Sequence, residues 1–551
     1  MKILTAEEMG AADRRSGEAG VPVALLMEAA GVAVAQFCLR RFGGSGRVVV
    51  LAGKGNNGGD GMVAALYMAK AGRKVRVALL GTAAEVNGEA AAALIATKRQ
   101  RIELLEIEDE ECLRRALEGA ALVVDAVVGT GFKPPMRGLA DTARSVLESM
   151  AVPVVAVDLP SGWDADSMEE TAAGAFRADA VVTFAAPKLA HVFGHLTVGK
   201  TFGPVVVAGI GMPEGAIESD SGLSWAGSSK AIAEVPRAID GNKGRLGHVL
   251  VVGGAYGKAG APSMASLAAM RAGAGLVTAA VPREILPIVA AVAPELMLIP
   301  LEHEAASRKK EASESTGGLS MEELEEESLA GLIKGMSVVG IGPGLGQEGT
   351  TPEWVRTFVE RVTLPMVIDA DALNALAGKT WLLTKAVEAA RGTDQPRTIV
   401  LTPHPGEMAR LLGLSVKEVQ ADRLGLARRF AVEHGVTLVL KGWRTLVAHP
   451  DGRVAVNTTG NPSMAKGGSG DILTGVVCAM LAQYPENVAE AVEAAVFLHG
   501  LAGDVACLAQ DEHTVLATDT VDHLWQAFRS RVVDAEGFTW ISGMATNGTG
   551  R

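Results

Sequence analysis

Cysteine is scarce in this 551-residue chain: Cys38, Cys112, Cys478 and Cys507 are the only four, and they lie far apart. With no Cys-x-x-Cys and no Cys/His spacing suited to zinc, neither a disulfide framework nor a zinc module is indicated. The thiols read as buried groups of a reducing compartment. Aromatic residues are few, at 4%, and charged residues make up 21%, a balance that fits a soluble α/β protein. Basic residues are in deficit, 51 Lys and Arg against 63 Asp and Glu, for a net charge of -12. That argues against a general nucleic-acid or anionic-membrane surface, so a phosphorylated ligand must be held by local lysines and backbone amides. No uninterrupted apolar run reads as long enough to span a bilayer. Met1 to Glu8 enters a capping box from Thr5 to Glu8 without a signal-type stretch, and cytoplasm is the expected location.

Alanine and glycine are abundant, and the length exceeds what one hydrophobic core of ~150 residues supports. After two helices, the second starting near Pro22, short Val-rich strands alternate with Ala-rich helices. Strands are expected at 47–52, 74–80, 121–128, 153–157, 180–184 and 204–208, with a helix over 62–70. Such alternation implies a parallel sheet covered on both faces, with ligands gathering beyond the C-terminal strand ends. Three polar loops fall there: Gly53 to Gly61, Gly129 to Pro135, and Asp158 to Gly162. The first has the glycine count of a dinucleotide fingerprint, but Asn56, Asn57 and Asp60 intrude where that turn is normally small and uncharged. An amide-rich loop with a carboxylate suits a ligand bearing hydroxyl and amide groups, or a hard monovalent cation held by oxygens. Taken singly, Asn56 and Asn57 could be left-handed turn residues, and Asp125 and Asp158 helix caps. Three polar loops at one sheet edge together favour a site. Lys188, in Ala-Ala-Pro-Lys, reads as a surface lysine, with reach into the same cleft as the alternative.

A junction without apolar periodicity, 211–231, precedes a second α/β series. Here 247–254 reads as strand and turn and 261–272 as an Ala-rich helix, with further strands at 276–281, 336–341, 365–368 and 398–401. Antiparallel strands are expected at 437–440, 444–448 and 454–456, with a turn at Pro450-Asp451-Gly452. The acidic stretch at about 302–328 reads as a surface excursion with a short acidic helix. The whole series leads to the run 457–471, Asn-Thr-Thr-Gly-Asn-Pro-Ser-Met-Ala-Lys-Gly-Gly-Ser-Gly-Asp, followed by apolar residues at helical spacing. Gly467 to Gly470 would form a turn into a helix N-terminus, where free N–H groups and the macrodipole attract an anion. A carboxylate beside a phosphate site would repel the ligand, so Asp471 suggests work on a proton, unless it is a plain N-cap.

This run, with Gly340-Ile-Gly-Pro-Gly-Leu-Gly346, Asp369-Ala-Asp-Ala-Leu-Asn374 and Thr402-Pro-His-Pro-Gly-Glu407, closely resembles the ribokinase-like NAD(P)H-hydrate dehydratase family. The first half, through Gly53 to Gly61 and Asp158-Leu-Pro-Ser-Gly162, resembles the NAD(P)H-hydrate epimerase family. The resemblance covers nearly the whole chain. It implies an N-terminal Rossmann-like three-layer α/β/α domain at 1–215, a linker at 216–231, a ribokinase-like α/β/α domain at 232–535 and a tail at 536–551. In the first domain it implies that the hydrated coenzyme meets Asn56, Asn57, Gly58, Gly59, Asp60, Gly129, Thr130, Gly131, Phe132, Lys133, Pro134, Pro135 and Asp158. It further implies K+ on Asn57, Asp125 and Ser161, with Asp158 assisting proton movement or stabilising a cation. In the second it implies a hydrate pocket of Ala261, Gly344, His404 and Asp471, and nucleotide binding by Lys441, Gly442, Trp443, Arg444, Thr445 and Gly470. Asp471 is the implied base for the substrate hydroxyl, and His404 a positioned hydrogen-bond donor. Mg2+ with ADP, hydrated NADH and NADPH as substrates, and a homo-oligomeric state complete the expectation. ADP rather than ATP follows from resemblance to the fused bacterial form. A vitamin or sugar kinase of the same fold, and a catalytically silent sensor using two enzyme folds as pockets, are the alternatives.

Overall fold

The computed structural model describes residues 1–197, 203–303, 318–390 and 397–544. The chain divides into two compact units, Met1–Trp225 with Arg531–Arg551, and Ala226–Ser530.

In the first unit Thr5 and Glu8 close the expected capping box at the start of the helix Ala6–Glu18, and Val23–Arg41 follows. The sheet runs in the order Phe538–Ser542, Val205–Ala208, Ala180–Phe184, Val154–Val157, Ala120–Ala126, Arg47–Ala52, Val75–Leu80, Glu103–Ile107. The inner pairings are parallel, and only Phe538–Ser542 runs antiparallel to its neighbour. Valines 48, 49 and 50 and Leu51 are fully buried, as a strand covered on both faces requires. Arg47–Ala52 lies between a strand that follows it and one much later in the chain, so the order reverses there and opens a crevice at the strands' C-terminal ends.

The helix after the first strand begins at Asn56, not Met62, so Asn56 to Asp60 are its first turns rather than a loop. The glycines make this possible: a Cβ on Gly58 would lie 2.0 Å from the Gly53 carbonyl oxygen, and one on Gly53 1.9 Å from that of Val127. The stretch expected as a tail contains the strand Phe538–Ser542, whose Phe538 and Trp540 pack on Phe37 at ring separations of 5.8 and 6.5 Å. The expected linker is ordered too, with a strand at Leu223–Trp225 and a 3-10 helix at Ala226–Glu234.

In the second unit the strand order is Met297–Leu301, Leu276–Pro282, His248–Val252, Val338–Ile341, Met366–Ile368, Ile399–Leu401, Thr437–Leu440, all parallel. Leu446–Ala448 and Val454–Val456 then add antiparallel, as the sequence predicts. The helix Ser469–Gln483 is buried from Ile472 to Ala482 and crosses Gly260–Arg271 so closely that a Cβ on Gly475 would lie 2.0 Å from the Ala265 carbonyl oxygen. Of the acidic stretch, 304–317 lies outside the described residues. Its end is built in, with Leu324, Leu329 and Leu332 buried from the turn Met321–Leu324 and the helix Glu326–Ile333.

Two helices, Val23–Arg41 and Val488–Ala509, are long and apolar enough to cross a membrane by length and composition, though charged residues such as Glu28 and Glu493 interrupt them. The apolar window of the second is 89% buried in the structure and that of the first 50%. A helix enclosed on every side by a protein core has the same composition as one enclosed by lipid.

Candidate active sites

In the first unit the reversal of strand order opens a cavity of about 960 Å³. Asp158, just beyond the strand Val154–Val157, holds a left-handed backbone at φ +65° that turns its carboxylate back into the site. Its Oδ1 accepts from Lys188 Nζ at 2.8 Å and Thr183 Oγ1 at 2.7 Å, and its Oδ2 from the Thr130 amide at 3.2 Å and the Thr130 hydroxyl. Lys188 is therefore a buried ion-pair partner, 1% exposed, and not the surface lysine expected from sequence. His191 completes the group: its Nε2 donates to the Asp158 carbonyl oxygen at 2.7 Å, while its Nδ1 accepts from the Lys188 amide at 2.9 Å. Burial, aided by the Lys188 charge, lowers the His191 pKa to about 4, so the ring is neutral. Burial alone would raise the Asp158 pKa, but the Lys188 ammonium and the Thr130 hydrogen bond hold it well below the usual carboxylate range. Asp60 and Asp13 also line the cavity, and burial together with the Asp158 charge pushes both pKa values up.

Of the residues implied here, Asn56, Asn57, Asp60, Gly129, Thr130, Gly131, Phe132 and Asp158 line this cavity. Gly58 and Gly59 are buried in helix packing, while Lys133 pairs with Asp164 and Asp166 at 2.7 and 2.8 Å. Lys133, Pro134 and Pro135 do not line it. Asp125 ends neither strand nor helix; it lies inside the strand Ala120–Ala126 and caps nothing. Its carboxylate accepts from the Ser161 amide at 2.7 Å and the Ser161 hydroxyl at 2.6 Å. Complete burial still pushes its pKa up to about 6, since no cationic side chain is among its partners. A Cβ on Gly129 would stand 3.1 Å from Asn57 Oδ1 and 3.4 Å from Asp158 Oδ2, so both side chains close on this glycine.

In the second unit a cavity of about 790 Å³ spans the loop Lys441–Thr445, the run 459–471 and His404. Gly468, at φ +98°, is the N-cap of Ser469–Gln483 and offers no capping side chain, so first-turn amides are left for a ligand. Gly470 and Asp471 thus sit in that first turn. Lys441 Nζ faces them: it donates to Asp369 Oδ1 at 3.0 Å, lies 3.7 Å from Glu407 Oε2, and would be 3.2 Å from a Cβ on Gly470. Asp369 is 1% exposed, and its second oxygen accepts from Thr474 Oγ1 at 2.9 Å. Burial first, then the charges of Asp369, Asp371 and Glu407, raise the Asp471 pKa to about 7 against the opposing pull of Lys441. A carboxyl poised near neutrality can take a proton at working pH.

His404 caps the helix Pro405–Leu412: its Nδ1 accepts from the Gly406 amide at 3.0 Å, leaving the Nε2–H as a donor on a half-exposed ring. Ala261 and Gly344 lie together, with a Cβ on Gly344 reaching 3.1 Å from that of Ala261, but outside the cavity that holds His404 and Asp471. Sequence reading missed the supports of this site. Arg423 donates from beneath the Lys441–Thr445 loop to the carbonyls of Leu440 at 3.3 Å, Trp443 and Arg444 at 3.4 Å. Asp504 accepts from the Gly460 amide at 3.1 Å and Asn461 Nδ2 at 2.9 Å, and burial raises its pKa to about 7. Asp369 carried a signal, an acid directly after a Val-Ile strand; Arg423 and Asp504 lie mid-helix or at a helix start and carried none.

Two largely parallel sheets, each with a cavity lined by buried charged groups and glycine-rich backbone, define a two-site α/β enzyme. A family model described as NAD(P)H-hydrate dehydratase matches residues 249–528, and one described as the YjeF-related protein N-terminus matches 23–190. A bifunctional NAD(P)H-hydrate repair enzyme of Moorella thermoacetica is 40% identical over 97% of this chain and 98% of its own length. One from Pyrobaculum aerophilum is 36% identical over 96% and 98%. A solved ADP/ATP-dependent NAD(P)H-hydrate dehydratase of Bacillus subtilis is 28% identical, with a TM-score of 0.42, covering 55% of this chain and 96% of that one. The chain belongs to the family of bifunctional NAD(P)H-hydrate repair enzymes.

Proposed function

We propose that the first unit interconverts the R and S hydrates of NADH and NADPH, and that the second dehydrates the S form at the expense of ADP, in the cytoplasm and as a homo-oligomer. The single observation that carries the dehydratase half is Asp471, with a pKa of about 7, on the uncapped first turn of a helix and opposite Lys441. Hydroxide is a poor leaving group, so the substrate hydroxyl is phosphorylated first. Its oxygen attacks the terminal phosphorus, Asp471 takes the hydroxyl proton, and AMP departs. The C–O bond then breaks as the ring nitrogen's lone pair moves in, releasing phosphate, and loss of a proton from the adjacent carbon restores the dihydronicotinamide. Lys441 and the amides of Gly470 and Asp471 hold the transferring phosphoryl group, and Trp443, Arg444 and Thr445 the remainder of the nucleotide. Mg2+ carried with the nucleotide's phosphates would supply charge neutralisation there. Purified protein mixed with chemically hydrated NADH should recover the dihydronicotinamide absorbance with ADP, releasing AMP and phosphate. No recovery with ADP or ATP would overturn this reading.

The active form of Asp471 is the carboxylate, and its raised pKa dictates the profile. The kcat/KM for dehydration is expected to climb as pH rises through about 7 and level off above it, measured as rate against pH at limiting hydrate.

In the first unit Asp158 is proposed to stabilise the cation, or relay the proton, that accompanies loss of configuration at the hydroxyl-bearing carbon. The oxygens proposed for K+, those of Asp125, Ser161 and Asn57, suit such an ion; Asp125 and Ser161 Oγ are joined at 2.6 Å, and the buried carboxylate has no cationic side chain among its partners. Bound there, K+ would offset that charge and fix the loops from Val127 to Thr130 and Asp158 to Ser161. The sign of the linkage is testable. The Asp125 folded pKa lies above its ordinary value, so its stabilising contribution is complete at low pH and fades as pH rises through about 6. KCl, compared with a tetraalkylammonium salt, should raise the melting temperature above that pH and have little effect well below it. Asp125→Asn should remove the difference.

A further inference from the structure

Inversion at the hydroxyl-bearing carbon through a cation takes two proton transfers. One proton must reach the departing hydroxyl, and another must leave the water that adds to the opposite face. In the first unit most ionisable groups at the cavity are already committed. Asp158 accepts from Lys188, from Thr183, and from both the amide and the hydroxyl of Thr130, which holds it as the carboxylate with no proton to give. Lys188 spends its N–H groups on Asp158 at 2.8 Å, Thr183 at 2.9 Å and the Phe184 carbonyl at 3.4 Å. Both ring nitrogens of His191 are engaged, by the Asp158 carbonyl and the Lys188 amide. Lys54 is exposed and pairs with Glu85 at 2.6 Å, and the Arg137 guanidinium does not release a proton.

Asp13 and Asp60 remain. Both line the cavity and are only partly buried, and among the described residues neither side chain has a hydrogen bond or an ion pair. Asp13 belongs to the helix Ala6–Glu18, which meets the cavity with Ala6, Met9, Gly10 and Asp13, the spacing of one helix face. That helix is seated beside Lys188, because the Leu4 amide just before it donates to the Pro187 carbonyl at 3.0 Å. Asp60 comes from a different helix, Asn56–Lys70. Asp13 lies ahead of residues 23–190, the part that matches the family model. A carboxyl near Leu26, Met27 and Ala30 with no donor of its own is costly to the fold, and in a substrate cavity it is kept for the substrate. Burial and the Asp158 charge, against the pull of Lys188, favour a retained proton on both.

We propose that Asp13 and Asp60 are the acid and base of the epimerisation: one protonates the departing hydroxyl and the other takes a proton from the water that adds to the opposite face. The assignment rests on the epimerase reading above. The acid gives its proton to the hydroxyl oxygen, the C–O bond breaks with its electron pair leaving on water, and the ring nitrogen's lone pair forms the C=N+ bond. Asp158, already ionised, stabilises that cation. Water then forms the new C–O bond with its own electron pair, the C=N electrons return to nitrogen, and the second carboxylate takes the proton. The reverse direction uses the two acids in exchanged roles.

The test uses the full chain, one purified epimer of hydrated NADH and no ADP, with the epimers separated by chromatography. Wild type is expected to invert the epimer faster than buffer and, in 18O water, to place solvent oxygen on the carbon with each inversion. Asp13→Asn and Asp60→Asn should each slow inversion roughly 100- to 10,000-fold, while ADP-dependent consumption of the S hydrate keeps its wild-type rate. Neither should lower the melting temperature, since no protein donor loses its acceptor. Asp13→Glu, which keeps the acid, should restore part of the rate. Wild-type inversion without uptake of solvent oxygen would overturn the acid–base pair whether or not the variants fold. So would an Asn variant that inverts at the wild-type rate, or one whose loss is matched by a lowered melting temperature. The two levels separate: fast inversion by wild type and Asp13→Asn alike refutes only the pair, whereas wild type no faster than buffer refutes the epimerase reading as well.

Discussion

Asp471→Asn is expected to lower dehydration of hydrated NADH by roughly 100- to 10,000-fold while leaving ADP affinity within a few fold of wild type. The substitution keeps size and shape but removes the only role that explains a carboxyl on an anion-binding helix turn. Nucleotide affinity should survive because the phosphate donors are Lys441 and backbone amides, neither of which depends on Asp471. Removing a negative charge from beside Asp369 and Glu407 should if anything ease phosphate entry. The climb of rate through pH about 7 should vanish with the carboxyl. Unaltered turnover would refute the assigned base, and equal loss of binding and turnover would mean that Asp471 shapes the pocket and does not act on the proton.

Asp158→Ala is expected to halt consumption of a mixed-epimer sample near its S fraction, apart from slow spontaneous inversion, with the dehydratase rate on the S hydrate unchanged. Continued rapid loss of both epimers would refute the epimerase assignment. The variant needs a stability control, because Asp158 and Lys188 form a buried pair at 2.8 Å with side chains 8% and 2% exposed. Breaking such a pair by removing one partner typically costs about 3–5 kcal/mol, since the surviving charge keeps its desolvation penalty. Denaturant titration should therefore find Lys188→Met and Asp158→Ala each destabilised on that scale, and the double variant less so than the sum of the two. The double variant separates loss of chemistry from loss of fold: it should recover stability without recovering epimerisation.

The central strands were legible because a parallel strand buried on both faces must be written as a short run of Val, Leu and Ile, and nothing else in a soluble chain looks like it. Arg47–Ala52, Ala180–Phe184 and Thr437–Leu440 fall where sequence puts them. Glu103–Ile107 and Met297–Leu301 escaped because they are sheet edges, where solvent on one side admits Glu103, Glu106 and Pro300 and dilutes the pattern. Asn56 to Asp60 misled for a different reason: glycines usually end helices, yet here they begin one, being selected for backbone approach and not for flexibility. The position of Asp471 on a helix turn could be read locally, since the helix follows at once. Lys188 could not. Its charge is buried only because Asp158 lies 30 residues earlier on an adjacent strand end, a relation that has no period in the chain.

The return of Phe538–Ser542 to the sheet of the first unit bears on any attempt to separate the two activities. Cutting the chain near residue 225 would leave Val205–Ala208 as a bare sheet margin and strip the aromatic cover from Phe37, an invitation to self-association. The epimerase half is thus a discontinuous module, closed by a segment that follows the dehydratase in the chain. A stand-alone version needs 531–544 grafted behind residue 225, and a nascent chain cannot complete that half until the dehydratase has already left the ribosome.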